Sequence, residues 1–188
     1  METTILSTSL TPVETPQGFA YLQWVALPTT LDAVSRKAWL RRCVSQLWLS
    51  RTPLHWPPGH QTLNAPDAQH WVSWSYWHPP HTLPEYALVA YAPFAIGVDV
   101  CHSQALPMDA WHSVLSLYAG AMHPHQPPAL QWARLEAIEK CLRTGLREWS
   151  PDVAAERLHC QSIPVKVPHP HAHAALAYYM LASDLNLQ

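Results

Sequence analysis

Two carboxylates in different local patterns are the first candidates for chemistry in this sequence. Asp99 lies inside "IGVDV", an alternating apolar run that is typical of a β-strand. Glu136 lies in "WARLEAIEKCLRTGL", four residues before Lys140, so the two side chains share one face of a predicted helix. Carboxylates near a cation can bind a hard metal ion or transfer a proton. Spacing alone is explained more simply by an ion pair on the surface of a helix.

The composition favours a globular protein that does not bind nucleic acid. The chain has 188 residues, 48% of them hydrophobic and 13% charged, with ten tryptophans. A chain of this size and polarity can bury a core without disulfides. The formal net charge of -2 provides no long-range attraction for a polyanion. We therefore expect a folded chain and no nucleic-acid partner.

Cysteine usage and hydropathy indicate the compartment. The four cysteines are far apart and form no CxxC pair, and the N-terminal residues lack the basic and apolar regions of a secretion signal. No apolar run approaches the roughly 20 residues that cross a bilayer. These patterns predict a cytoplasmic protein with free thiols and no membrane partner.

The hydrophobic pattern predicts a series of strands and helices. Strands are expected at 18–28, 70–77, 86–92, 95–100, 162–168 and 171–181, and helices at 31–51, 108–120 and 130–147. The strands at 86–92 and 95–100 are predicted to form an antiparallel hairpin around Pro93 and Phe94. The order of the elements predicts an α+β fold with two lobes, residues 1–94 and 95–188.

The two central motifs together resemble the 4'-phosphopantetheinyl transferase superfamily. Its signature is a G-V/I-D strand followed by a W-x-x-K-E-A-x-x-K-x-x-x-x-G-L helix, and the residues in register here are Trp132, Glu136, Ala137, Lys140, Gly145 and Leu146. Weaker likeness to the surfactin-type branch continues in "RRCVSQLWLSR", "GHQTL", "WVSWSYW" and "HAALAYYMLAS". The resemblance thus extends from about residue 36 to 183, and only the two central motifs are specific.

This resemblance implies both a fold and a reaction. The fold would be two similar α+β lobes related by pseudo-twofold symmetry. The reaction would transfer the 4'-phosphopantetheine group of coenzyme A to a serine of an acyl or peptidyl carrier protein, with release of 3',5'-ADP. Such carriers serve fatty acid, polyketide or nonribosomal peptide biosynthesis. In this branch the duplicated lobes replace a dimer, so a monomer is expected.

The resemblance also implies a role for each site residue. Asp99 and Glu136 would bind Mg²⁺, Glu136 would accept the serine proton, and Lys140 would contact the pyrophosphate. Coenzyme A would be contacted by Arg42, His60, Ser75, Tyr76 and Lys140. Splitting a pyrophosphate depends mainly on neutralising its charge, which explains the mixture of carboxylates and cations.

Four positions depart from the family pattern. Cys101 replaces an acid two residues after Asp99, and sulfur is a poor ligand for Mg²⁺. Leu135 replaces a lysine, Tyr76 a histidine and His60 another lysine, so positive charge is lost at each of the three positions. The alternative is therefore a weakly active or non-catalytic relative that binds a carrier protein or coenzyme A.

A histidine cluster offers a separate candidate site. In a strand, His169, His171 and His173 would share one face, where imidazoles can bind Zn²⁺. Prolines 168 and 170 favour a loop or an edge strand instead. The chain has no G-x-S-x-G elbow, no P-loop and no G-x-G-x-x-G turn, so these types of catalysis and nucleotide binding are not indicated.

Overall fold

The computed structural model describes residues 11–49, 62–64, 71–77, 80, 82–83 and 85–180, without the side chains of 45–49 and 62–64. The strands in these ranges are β1 (Thr11–Thr15), β2 (Gly18–Ala26), β3 (Thr62–Asn64), β4 (Trp71–Trp77), β5 (Tyr86–Ala92), β6 (Ile96–His102), β7 (Cys160–Val165) and β8 (Ala172–Tyr179). The helices are α1 (Ala33–Leu49), α2 (Met108–Ala119), α3 (Pro128–Leu142) and α4 (Pro151–Arg157). The α+β class predicted from the sequence is confirmed.

The first sheet contains five antiparallel strands in the order β1-β2-β5-β4-β3. Alternation along β4 sends Val72 and Trp74 to one face, where they pack against Leu40 and Val44 of α1. Ser73 and Ser75, which alternate with these residues along β4, point to the other face. The first sheet thus has α1 on one side and the rest of the molecule on the other.

The second sheet contains three antiparallel strands in the order β6-β8-β7. Its outer face packs on α3, where small residues such as Ala133 and Ala137 meet Ala175 and Ala177 of β8. Its inner face presents apolar residues of β6 and β8 to the first sheet, and the two faces share one buried core. The layers are therefore α1, first sheet, second sheet and α3.

Strand β6 is an edge strand of the second sheet, and its open edge lies against β4. The amide N–H of Val98 donates a hydrogen bond of 3.0 Å to the hydroxyl oxygen of Ser73. This bond satisfies a backbone donor for which the second sheet supplies no strand partner. The two sheets are therefore joined by a buried polar contact as well as by the apolar core.

The predicted hairpin at 86–100 is wrong. Strand β5 pairs with β2 on one edge and with β4 on the other, so no edge is left for β6. The segment around Pro93 instead carries the chain from the first sheet to the second. All described strands of the first sheet precede this segment and those of the second follow it, whereas the pseudo-twofold symmetry stays a prediction.

Helix α3 ends earlier than the sequence predicts. Its last residue is Leu142, not a residue near 147, because Arg143 adopts a left-handed conformation with φ of 60° and closes the helix. The guanidinium of Arg143 lies 4.2 Å from the centre of the Trp71 ring, a cation–π contact between the two halves of the chain. Strands β1 and β3 and helix α4 were not predicted.

The described helices include none that is long and apolar enough to cross a bilayer.

Candidate functional site

Asp99 lies at the centre of a buried polar cluster between the two sheets and α3. Its side chain is only 5% exposed, and its Oδ1 atom accepts two hydrogen bonds. One comes from the Ser75 hydroxyl of β4, at 2.7 Å, and the other from the Lys140 ammonium of α3, at 2.6 Å. Each donor is therefore supplied by a different element, and the carboxylate joins all three.

Lys140 forms a buried ion pair with this carboxylate. Its side chain is 14% exposed, and its ammonium also donates to the carbonyl oxygen of Val98, at 3.1 Å. A buried carboxylate needs such compensation, because burying an unpaired charge costs several kcal/mol. In this arrangement two of the three ammonium donors are directed at β6.

Glu136 lies one helical turn before Lys140 in α3, close enough to Asp99 for the two carboxyl groups to interact. Burial, followed by the negative charge of Asp99, raises the pKa of Glu136 from 4.5 to about 7, while the charge of Lys140 and a hydrogen bond from Trp132 act in the opposite direction. Near neutral pH the Glu136 carboxyl group is therefore about half protonated.

Gly97 allows the helix to approach the strand closely enough for these contacts. A Cβ atom at Gly97 would overlap the carbonyl oxygen of Ala137 and would lie 2.6 Å from the amide nitrogen of Cys141. Since any other residue would push α3 away from β6, the glycine fixes the separation of the two carboxyl groups.

The donor set suits a hard cation held partly by substrate. Mg²⁺ is commonly bound by one or two carboxylates together with phosphate oxygens and water. A divalent cation at Asp99 and Glu136 would offset the repulsion from Asp99 that contributes to the raised pKa of Glu136. In the described part of the chain, no group of three or more His, Cys, Asp or Glu residues is arranged to bind a metal, so the pair would need such external ligands.

Cys101 does not add a ligand to this pair. Burial, and then the charges of Asp99 and Glu136, raise the pKa of its thiol far above the ordinary value, so the sulfur stays protonated. Its weak hydrogen bond goes to the carbonyl of His102, at 3.6 Å. The residue that replaces the expected acid is thus a small apolar filler beside the site.

Comparison with known proteins adds no relative. No family model matches the chain, and no curated protein matches it. The resemblance described above therefore depends on the two sequence motifs.

The other predicted contacts of coenzyme A divide into three groups. Ser75 contacts Asp99 directly. Tyr76, the next residue in β4, points to the opposite face of the sheet, where the Lys37 ammonium lies 5.9 Å from its ring. Arg42 is exposed on α1, which covers that same opposite face. His60 lies outside the described residues. Ser75 thus joins the cluster, whereas Tyr76 and Arg42 lie on the far side of the first sheet.

A second buried ionic cluster was not predicted. Glu139 of α3 is 2% exposed and accepts hydrogen bonds from Thr144, Arg147 and Arg157. Arg157, in α4, also donates to the carbonyl oxygen of Tyr118, at 2.6 Å. This cluster fastens α3 to the segments that follow it and to α2, so we assign it a structural role.

The three histidines considered for Zn²⁺ do not share a strand face. Strand β8 begins at Ala172, so only His173 lies within it, and His169 and His171 precede it in a turn. The ring of His171 lies near that of His102, with 5.7 Å between centres, whereas His169 stacks on Trp77.

Proposed function

We propose that the protein is a 4'-phosphopantetheinyl transferase that modifies a serine of an acyl or peptidyl carrier protein. The observation that carries this proposal is the buried ion pair of Asp99 with Lys140, with Glu136 one helical turn away in α3 and within reach of the Asp99 charge. Asp99 and Glu136, the acids of the two motifs, are 37 residues apart in the sequence. The fold nevertheless brings the charged side chains of both motifs into one cluster. A surface ion pair, the simpler interpretation of the helix, does not explain a buried Asp99–Lys140 contact.

Glu136 would act as the base. As the serine oxygen bonds to the β-phosphorus of coenzyme A, its proton passes to the Glu136 carboxylate, and the bond to the bridging pyrophosphate oxygen breaks to release 3',5'-ADP. A bound cation would lower the pKa of Glu136 from its metal-free value of about 7, so the carboxylate would be ionised and able to accept the proton.

Asp99 would be oriented for its role by neighbours that do not react. Ser75 and Lys140 both donate to Oδ1, which fixes the rotation of the carboxyl group. When bound, Mg²⁺ would be held by Asp99 and Glu136 and would neutralise charge on the pyrophosphate.

A non-catalytic relative that binds coenzyme A or a carrier protein is the second candidate. It is favoured by the loss of cations: Leu135 is buried where the family carries a lysine, and Lys140 is engaged with Asp99. Each missing charge-assisted hydrogen bond would remove about 1.5 to 3 kcal/mol of phosphate binding.

Mass spectrometry distinguishes the two candidates. The protein is incubated with Mg²⁺, coenzyme A and several apo carrier proteins, and an active transferase adds about 340 Da to a carrier serine. Asp99→Asn and Glu136→Gln are expected to abolish the adduct, while Asp109→Asn and Glu148→Gln, at exposed positions, serve as matched controls.

Failure to modify any carrier would overturn the transferase proposal. Calorimetry with coenzyme A and with each carrier would then test the second candidate directly.

A further inference from the structure

Two buried cysteines lie on the face of the second sheet that α3 covers. Cys141 is in α3 and Cys160 is the first residue of β7, and both belong to the buried cluster between the helix and the sheet. They are 19 positions apart in the sequence, so the fold is what brings them to the same layer. All four cysteines of the chain are free.

Backbone pairing places the two thiols over the same point of the sheet. The Sγ atom of Cys141 donates to the carbonyl oxygen of Ala95, at 3.4 Å. The same oxygen accepts a hydrogen bond from the amide N–H of Tyr179, at 3.2 Å. Tyr179 lies directly opposite Cys160 in the pairing of β7 with β8. Side chains at such positions leave the sheet on one face, with Cβ atoms about 5 Å apart.

That face is the one that carries the helix. Ala175 and Ala177 of β8 pack against α3, and Tyr179 continues the same alternation, so Cys160 points toward α3 as well. The neighbouring Cys160 thiol, and then burial, raise the pKa of the Cys141 thiol far above its ordinary value. The two side chains are therefore neighbours, which is the first requirement of a disulfide.

Cys160 is the thiol that an oxidant reaches first. Among the described strands β7 pairs only with β8, so Cys160 begins an edge strand. Its neighbours in the chain, His159 and Gln161, are exposed. The ends of edge strands open locally more readily than central strands do. A small oxidant can therefore reach this sulfur without unfolding of the domain.

We propose that Cys141 and Cys160 form an oxidation site at which hydrogen peroxide makes a disulfide between α3 and β7. The Sγ atom of Cys160 takes one peroxide oxygen as the O–O bond breaks, which gives a sulfenic acid and one water. The Sγ atom of Cys141 then bonds to the sulfur of Cys160. The sulfenic oxygen leaves with the proton of the Cys141 thiol as a second water. One peroxide is thus reduced as two thiols are oxidised.

The bond closes a loop that contains α4 and fixes the end of α3 on the sheet. Cross-linking a loop of this length restricts the unfolded chain, so the oxidised protein is the more stable form. Cys141 follows Lys140 directly, and the bond therefore holds the helical turn that supplies this cation. Its formation requires neither coenzyme A nor a carrier protein, so it is independent of the proposed transferase activity.

Mass spectrometry of the full-length protein tests the proposal. The reduced protein is treated with hydrogen peroxide, unfolded, and alkylated at its remaining thiols. A peptide pair joined through Cys141 and Cys160 should appear, with the loss of about 2 Da that accompanies one disulfide. The melting temperature should rise by about 5 to 10 °C and return to its first value after reduction with dithiothreitol.

Two variants separate this bond from general oxidation. Cys160→Ser should abolish both the joined peptides and the rise in melting temperature. Cys43→Ser, at a partly exposed position of α1, should retain both. Circular dichroism checks that each variant is folded.

Slow access to the buried thiols is controlled by repeating the oxidation of the wild-type protein in urea just below its unfolding transition, where local opening is frequent. Absence of the Cys141–Cys160 bond under this condition too would overturn the proposal. A bond from Cys160 to another cysteine, or a bond that lowers the melting temperature, would overturn it as well.

Discussion

The Lys140 ammonium and the Asp99 carboxylate form a buried ion pair of 2.6 Å that links helix α3 to the edge strand of the second sheet. The same ammonium bonds to the backbone of β6 at Val98. Lys140 is therefore a structural cation in this protein as well as the proposed neighbour of the pyrophosphate. Changes in the pair should affect stability and activity together.

Removal of Lys140 should destabilise the protein strongly. Lys140→Met leaves Asp99 buried without a counter-charge, and breaking a buried pair on one side costs about 3 to 5 kcal/mol. Urea unfolding measures the loss. Lys37→Met, at an exposed position of α1, is the control. The double variant Asp99→Asn/Lys140→Met should be less destabilised than the two single changes predict, and simple additivity would contradict the pairing.

The raised pKa of Glu136 predicts a specific pH dependence of stability in metal-free buffer. Between pH 4.5 and about 7 the carboxyl group ionises in the unfolded chain but stays protonated in the folded one. The contribution of Glu136 to the free energy of unfolding is thus fully present below pH 4.5, and it is lost as the pH rises through about 7. The loss should total on the order of 3 kcal/mol, at about 1.4 kcal/mol per pH unit.

Glu136→Gln supplies the comparison, because the amide does not titrate. The difference in unfolding free energy between wild type and this variant, measured with urea from pH 4.5 to 8, should fall with pH. Parallel curves would show that Glu136 is not perturbed.

Gly97→Ala should disrupt the site without touching a charged residue. The added methyl group would collide with the backbone of α3 at Ala137 and Cys141. We expect a loss of about 3 kcal/mol in stability, at the upper end for overpacking, together with loss of the proposed transferase activity. At Gly145 a Cβ atom has open space, and only its φ of 70° opposes the change to alanine, which should cost about 1 kcal/mol. Equal effects at the two glycines would refute the close approach.

Glu139→Gln should reduce stability while leaving the chemistry intact. It removes the negative charge that compensates Arg147 and Arg157, so a loss of about 3 kcal/mol is expected on thermal or urea unfolding. Because the cluster does not include Asp99 or Glu136, kcat at a temperature where the variant is folded should stay within about twofold of wild type. A selective fall in kcat would place Glu139 in the reaction.

Leu135→Lys introduces the lysine of the family motif that the sequence resembles. This change should not raise the rate of the proposed transferase reaction. The side chain is only 6% exposed, so a lysine here would be buried without a described partner. We expect a lowered melting temperature and no gain in transferase rate. A faster, stable variant would show that position 135 faces the phosphates.

The sequence was sufficient to predict the parts of the fold that depend on local pattern. The strand at Asp99 and the helix at Glu136 were predicted from their sequence patterns, and the resemblance to a family motif indicated that the two acids meet. The separation of β5 and β6 into different sheets could not be predicted in this way, because both strands are apolar and a short segment joins them. Which sheet a strand enters depends on edges already occupied, and β2 and β4 occupy both edges of β5.

The environment of individual side chains was harder to predict. The sequence gives no sign that Glu139 is buried in an ionic cluster. Its partners Arg147 and Arg157 lie 8 and 18 residues later in the chain, in other segments. Tyr76 follows Ser75 directly, and the alternation of the strand places it on the opposite face. The side chain of Tyr76 therefore points away from Asp99, and its contact with coenzyme A stays a prediction.

The hydrogen bond from Val98 to Ser73 has a consequence for dividing the chain. A fragment of residues 95–188 would present the open edge of β6, with Ile96, Val98 and Val100 exposed to solvent. Such an edge recruits further strands, so the fragment alone should aggregate. Co-expression with residues 1–94 should cover the edge and restore a soluble pair, which makes the junction near Pro93 a suitable place to split the protein for fragment complementation.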